Sequence, residues 1–196
     1  MAFQRGGDQV VLKNQMGIFY FGGRTKSLQK RFGGGLSRII AARLSSMISA
    51  STNVLVMGHS NPDFDSIGAC VGIAVLVRHL GGQVKIVTDI ESDNFKACTS
   101  RLCELADYKN LFTDGVSALN EMSFGTLVIV VDANNFSILE APEIVKNSFK
   151  IAVIDHHIKK QEYEVEPELL YIEPSASSAC ELVSEILEQS LPSSML

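Results

Sequence analysis

The sequence predicts an α/β fold, a mostly parallel sheet with helices on both faces. Three observations predict it. Short apolar runs at 54–57, 84–87, 126–131 and 151–154 recur through the second part of the chain, separated by segments long enough for helices. The runs are apolar almost throughout rather than alternating, as buried parallel strands are. Three of them also end in the same chemistry, an Asp or a His at the carboxyl end.

In chain order, Val10 to Lys13 and Ile18 to Phe21 read as two short strands joined through Met16-Gly17, which suits a turn. Gly22-Gly23 and Gly33-Gly34-Gly35 break the chain. Neither group follows a strand and precedes Lys-Ser/Thr, so they read as turns rather than a phosphate loop. Leu36, Ile39, Ile40, Leu44, Met47 and Ile48 then recur at helical spacing. Val54 to Met57 is a buried strand leading through a turn into a helix over roughly Ser66 to Leu80. Val84 to Val87, Thr126 to Val131 and Ile151 to Ile154 supply further strands, with helices between them. Leu169 to Ile172 is a shorter last strand, and a helix closes the chain from about Ala179 to Gln189.

Composition fits this reading. Of 196 residues, 46% are apolar and 20% charged, which is a globular composition with enough chain to bury a core. No stretch has the roughly 18–20 uninterrupted apolar residues of a membrane span, and residues 1–7 lack a signal-peptide core. A cytoplasmic setting is therefore expected. Cys70, Cys98, Cys103 and Cys180 show no CxxC pairing, and Cys70 and Cys180, set among small and apolar residues, are expected to be buried, reduced thiols.

Charge divides the chain. Residues 1–50 hold eight Lys and Arg against Asp8 alone, a charge of +7; the total of −5 leaves −12 for the rest. Two readings of the lead-in stand side by side: contact with nucleic acid or anionic lipid, or a solvated linker helix. The expected division is a basic linker over 1–50 and the sheet domain over 51–196.

The strand ends carry the functional information. The run at 54–57 leads into Gly58-His59-Ser60-Asn61-Pro62-Asp63-Phe64-Asp65, the run at 126–131 into Asp132, and the run at 151–154 into Asp155-His156-His157. In an open parallel sheet these ends share one edge, where such folds bind ligands. Asp63, Asp65, Asp132 and Asp155 would gather there, and no Lys or Arg lies between Asn53 and Val77 to neutralise them. Such a cluster must take up protons or hold cations. Carboxylates with imidazoles and no thiolate suit Mn²⁺ and related ions better than structural zinc. Two ions about 3.5–4 Å apart, bridged by a carboxylate, satisfy the set. The plainer alternative is that a single Asp after a strand caps a helix, and Asp63 and Asp65 could both cap the helix that follows. His79, beside Gly81-Gly82, reads as a partner of a helix C-terminus.

These motifs resemble those of the DHH phosphoesterases: His59-Ser60-Asn61-Pro62-Asp63-Phe64-Asp65, then Val131-Asp132, then Asp155-His156-His157. The stretch Tyr171 to Val183 is similar to that of GdpP-type cyclic-di-AMP phosphodiesterases, and Arg5-Gly6-Gly7-Asp8-Gln9 resembles the end of the degenerate GGDEF domain that precedes the DHH domain there. The resemblance implies two Mn²⁺ ions. His59 and Asp63 would hold one, Asp65 and His156 the other, and Asp132 would bridge them. It implies that His157 touches the scissile phosphate and that Asp155 orients the imidazoles. The implied reaction opens cyclic di-AMP to 5′-pApA through a metal-activated water. Ser178 and Glu181 match a capping box, which is the favoured reading of that pair.

The same resemblance implies a further metal-binding Asp downstream, a second, smaller domain with a glycine-rich motif, and parent proteins with amino-terminal membrane helices and a sensory domain. None has a counterpart before Leu196, so the chain reads as a fragment of a membrane-anchored parent, touching no membrane itself and open to homodimerisation. Competing readings keep the chemistry and change the substrate, as in a RecJ-like or oligonucleotide exonuclease or a pyrophosphatase, or remove turnover altogether, leaving a metal- or nucleotide-binding module. The acidic body disfavours long nucleic acids. A plain dinucleotide-binding domain ranks last, because no GxGxxG follows the first strand.

Overall fold

The computed structural model describes residues 9–14, 17–22, 34–108, 110–158 and 165–195. The chain divides into two compact units, Met1–Leu36 and Ser37–Leu196. In the first, strands β1 (Gln9–Asn14) and β2 (Gly17–Gly22) form an antiparallel pair with Asn14 opposite Gly17. The expectations placed on Arg5 to Asp8 and on the basic side chains Arg24, Lys26, Lys30 and Arg31 lie outside the described residues.

The second unit is built on a six-stranded sheet that is parallel throughout. Helix α1 (Gly34–Ser49) leads to strand β3 (Asn53–Met57), helix α2 (Phe64–His79) and strand β4 (Val84–Val87). Helix α3 (Asp93–Thr99), the two-residue strand β5 (Phe112–Thr113) and helix α4 (Gly115–Asn120) follow. Strand β6 (Thr126–Val131), helix α5 (Pro142–Lys146), strand β7 (Lys150–Asp155), strand β8 (Leu169–Ile172) and helix α6 (Ala179–Ser190) complete it. The spatial order is β5-β4-β3-β6-β7-β8. The chain winds outward from β3 in one direction, then returns to the other side of β3 and winds outward again.

Alternation along each strand sorts side chains between two cores. Val54, Val56, Leu127, Ile129, Val131, Ala152 and Ile154 enter one core with α1, α2 and α6. Leu55, Met57, Val128, Val130, Ile151 and Val153 enter the other, against Ala118 of α4 and Ile144 and Val145 of α5. Both faces are covered, which is why the central strands carry no polar face. In α1 the buried residues Ile40, Ala41, Leu44, Met47 and Ile48 form one helical stripe. Local chemistry sets the helix starts: Asp63, Ser92, Asp114 and Ser178 cap α2, α3, α4 and α6, and Pro142 occupies the first turn of α5. His79 ends α2 as expected, and Gly81 (φ 78°) makes the left-handed turn just beyond the cap. Among the described residues no helix is long and apolar enough to cross a membrane.

Close helix packing brings α6 to the site. Gly68 and Gly72, one turn apart on α2, face α6, where a Cβ would lie 2.7 Å from Cys180 Sγ and 2.6 Å from Val183 Cγ1 respectively. Only glycine allows this approach.

Candidate metal centre

The turning point of the winding order lies between β3 and β6, and ligands bind outside the carboxyl ends of such a pair. There the loop after β3 presents His59 and Asp63, β6 delivers Asp132, and β7 ends on Asp155 with His156 and His157 after it. His59, Asp63, Asp65, Asp132, His156 and His157 line a single cavity of about 660 Å³ together with Asn134, Asn135, Ile138 and Ile158. Asp155 lies fully buried beneath it.

Asp132 is the centre of the arrangement. Its Oδ2 stands 3.4 Å from His59 Nε2, and its Oδ1 stands 3.5 Å from His156 Nε2. The side chain is only 3% exposed, yet Oδ1 accepts no hydrogen bond. Its backbone is left-handed (φ 55°), while its N–H remains bonded to the Ile154 carbonyl at 3.0 Å. Left-handed backbone costs an L-residue about 1–2 kcal/mol, and Asp and Asn tolerate it best. The twist turns the carboxylate across the strand ends between the two imidazoles.

The remaining residues are anchored in different ways. Asp63 Oδ1 accepts the N–H groups of Asp65 (3.0 Å) and Ser66 (2.9 Å), so Asp63 caps α2 while lying 4.0 Å from His59 Nε2. Cap and site residue are one side chain. Asp65 is held at the start of α6: its Oδ2 accepts the Ala179 N–H and its Oδ1 the Cys180 N–H, each at 2.8 Å, while the Cys180 thiol donates to the Asp65 carbonyl at 3.2 Å. Burial tends to raise the Asp65 pKa, but the Cys180 and Ala179 N–H bonds outweigh it and hold the carboxyl below its usual range. His156 Nε2 lies 3.7 Å from Asp65 Oδ2. Asp155 Oδ1 accepts the His156 backbone N–H and meets His157 Nδ1, both at 2.8 Å, and its Oδ2 is buried without a partner. Asn134 Nδ2 donates to the His157 carbonyl at 2.9 Å.

The residues fit divalent cations. His59, Asp63 and Asp132 offer ligand atoms within 4.8 Å of one another, as do Asp132, Asp155, His156 and His157. A buried carboxylate oxygen with no donor is costly unless something positive meets it. Imidazole nitrogens and carboxylate oxygens, without thiolate, are the donor set that Mn²⁺ and similar ions take.

The Asp132 carboxylate 3.4 Å away raises the His59 pKa above its usual value, burial opposes this, and the Asp63 charge adds to the rise. A raised folded-state value means that protonated His59 stabilises the fold fully below its unfolded pKa and ceases to do so as pH rises through the folded value. A metal needs the neutral ring, so ion and proton compete. Uptake of a divalent cation by this cluster is therefore expected to release a proton from His59 at pH 6.5 and to weaken at lower pH. Calorimetry in two buffers of different ionisation enthalpy measures the release, which His59→Gln should diminish.

Some of the site was not evident in the sequence. The clamp of α6 on Asp65 depends on backbone N–H groups, which carry no residue signature. Asn134, Asn135, Ile138 and Ile158 follow motif residues closely, but nothing in their types distinguishes lining from loop. Ser178 Oγ accepts the Glu181 N–H at 3.0 Å as a capping box requires, whereas Glu181 Oε2 reaches back to Ser177 N and Oγ, both at 2.7 Å. The pair is structural at the start of α6. Cys70 is buried as expected, whereas Cys180 is half-buried, with its thiol pKa pushed up to about 12 by burial first and by the Asp65 contact second.

A family model described as "DHH family, N-terminal domain" matches residues 53–195. The chain is 35% identical over 193 residues to the cyclic-di-AMP phosphodiesterase GdpP of Bacillus subtilis (strain 168). It is 34% identical over 193 residues to the cyclic-di-AMP phosphodiesterase PdeA of Listeria monocytogenes serotype 1/2a (strain 10403S). Each alignment covers 96% of this chain and 29% of the relative, so the chain spans under a third of their length. Among solved structures, an exopolyphosphatase-related protein from Bacteroides fragilis matches with a TM-score of 0.56 at 18% identity, covering 78% of this chain and 44% of that one, a likeness of fold.

Proposed function

We propose, from the premise that this chain belongs to the DHH family, that it supplies the metal-binding lobe of a phosphodiesterase hydrolysing cyclic di-AMP to 5′-pApA. One observation carries the reading: the buried, left-handed Asp132 directs its two carboxylate oxygens at two different imidazoles, and one of those oxygens has no hydrogen-bond donor. A carboxylate so placed could serve two ions at once, which supports a bridging role. The relatives' printed activity supports the choice of substrate.

In this reading His59 and Asp63 would hold one Mn²⁺, Asp65 and His156 the other, and Asp132 both. Residues so placed would let divalent ions, when bound, lower the pKa of a water toward neutrality and draw charge from phosphoryl oxygens. The chain's residues do the rest. Asp155 fixes the His157 ring through Nδ1, leaving Nε2 to meet a phosphoryl oxygen from the cavity wall. The His157 side chain, paired with buried Asp155, is then placed to stabilise charge that builds on the phosphoryl oxygens in the transition state. The Ala179 and Cys180 N–H groups keep Asp65 ionised and oriented. Residues 51–196 form the phosphoesterase lobe in this reading, and 1–50 the lead-in to it.

Side-by-side assays with Mn²⁺ test it, using a protein in which this chain is joined to the second domain that the reading requires. Cyclic di-AMP is expected to be cleaved fastest, ahead of pApA, single-stranded DNA and inorganic pyrophosphate. A preference for DNA or pyrophosphate would refute the assignment.

A further inference from the structure

Two apolar side chains stand in the wall of the metal-site cavity and have no part in the chemistry above. Ile138 is 46% exposed and Ile158 71% exposed, and both line that cavity. Exposed isoleucines scattered singly need no explanation, but these two share one cavity with the metal-ligand candidates. Both are also tied to the site by backbone. The Ile138 carbonyl accepts the Ser60 N–H at 2.8 Å, and the next residue, Leu139, forms a β-bridge with His59. Ile158 directly follows His157, whose carbonyl is held by Asn134. Their β-branched side chains are stiff, so each is a wall rather than a flexible flap.

An inorganic phosphate or pyrophosphate gives these walls nothing to cover. It is a hydrated anion, and aliphatic surface beside it gains no burial. The cavity, at about 660 Å³, is within the size range of organic-ligand sites. What fits is a phosphate that carries a flat, apolar-faced group a few bonds away, and apolar side chains commonly sandwich a base presented in this way. We propose that Ile138 and Ile158 form a nucleobase subsite beside the scissile phosphate, selecting nucleotide esters over inorganic polyphosphates. The proposal rests on the phosphodiesterase reading only for the placing of that phosphate.

The test is a methyl NMR titration of this chain carrying ¹³C-labelled isoleucine methyls, with diamagnetic Mg²⁺ in place of Mn²⁺. The two resonances are assigned through Ile138→Val and Ile158→Val. AMP is expected to displace both by ring current, whereas ribose 5-phosphate and inorganic phosphate leave them in place. Ile138→Ala with Ile158→Ala, both at exposed positions, should weaken AMP about tenfold and leave phosphate affinity unchanged. Equal displacement by all three probes, displacement by none, or unaltered AMP affinity in the double variant overturns the subsite. The subsite can fail while cyclic di-AMP is still hydrolysed, and a preference for pyrophosphate in the assays above would remove the phosphodiesterase reading whatever the methyls do, so the two failures are distinguishable.

Discussion

Asp132→Asn is expected to fold like the parent and to lose Mn²⁺-dependent hydrolysis by about a thousandfold, measured in a protein that joins this chain to the second domain that the proposed reading requires. If Asp132 bridges two ions as proposed, losing its charge removes several kcal/mol of charge stabilisation, and each 1.4 kcal/mol is about a factor of ten in rate. The fold survives because Asn accepts the left-handed backbone (φ 55°) that this position imposes. Alanine does not, so Asp132→Ala should lose about 1–2 kcal/mol more stability than the Asn variant. A binding readout needs only this chain. Mn²⁺ at a hundred times its dissociation constant should stabilise the parent by about 2.7 kcal/mol, visible as a rise in Tm, and leave the Asn variant unmoved. If Asp132→Asn keeps both its turnover and its thermal response to Mn²⁺, the bridging role is wrong. If the Asn and Ala variants are equally stable, the strain argument is wrong.

The second large effect arises away from the metal centre. Gly72→Val is expected to destabilise the chain by about 1–3 kcal/mol and to weaken Mn²⁺ binding by about 10–100-fold. A Cβ at Gly72 falls 2.6 Å from Val183 Cγ1, and the buried, β-branched Val183 has no ready rotamer in which to yield. The helix must move instead. Its first turn carries the Ala179 and Cys180 N–H groups that hold both oxygens of Asp65, so lifting α6 releases a proposed metal ligand. Adding Val183→Ala removes the obstructing methyls and should restore most of both losses. Urea unfolding and Mn²⁺ calorimetry on the single and double variants read the two effects separately. A fall in stability with unchanged Mn²⁺ affinity would show that the clamp is dispensable.

The same two variants mark how far the candidate site was legible. Asp132 was conspicuous in the sequence because an apolar run ends on it, and burial on both faces of the sheet is what makes such a run visible. Gly72 was not, because a glycine within a helix acquires meaning only from the helix packed against it. The short helices between the strands were expected without bounds, and the shortest strand was not evident, for a related reason. The strand Phe112–Thr113 and the helices Asp93–Thr99, Gly115–Asn120 and Pro142–Lys146 are too short for a period of 2 or 3.6 to show. The helices owe their form to their capped or proline starts and, for α4 and α5, to packing on one face of the sheet, and the strand owes its form to pairing with β4.

The amino-acid sequence by itself determined the class of the fold, the central strands, and His59, Asp63, Asp65, Asp132, Asp155, His156 and His157 as the residues to watch. Each of those depends on local pattern: which side chains are apolar, at what period, and what stands at the end of the run. Tertiary structure decided what is non-local. It placed β3 beside β6 at the turning point of the sheet, gave Asp132 its left-handed backbone, made Asp63 a cap and a site residue at once, and set α6 on Asp65. Such choices depend on which distant backbone groups need partners once the core has closed, and no stretch of residues carries that information alone.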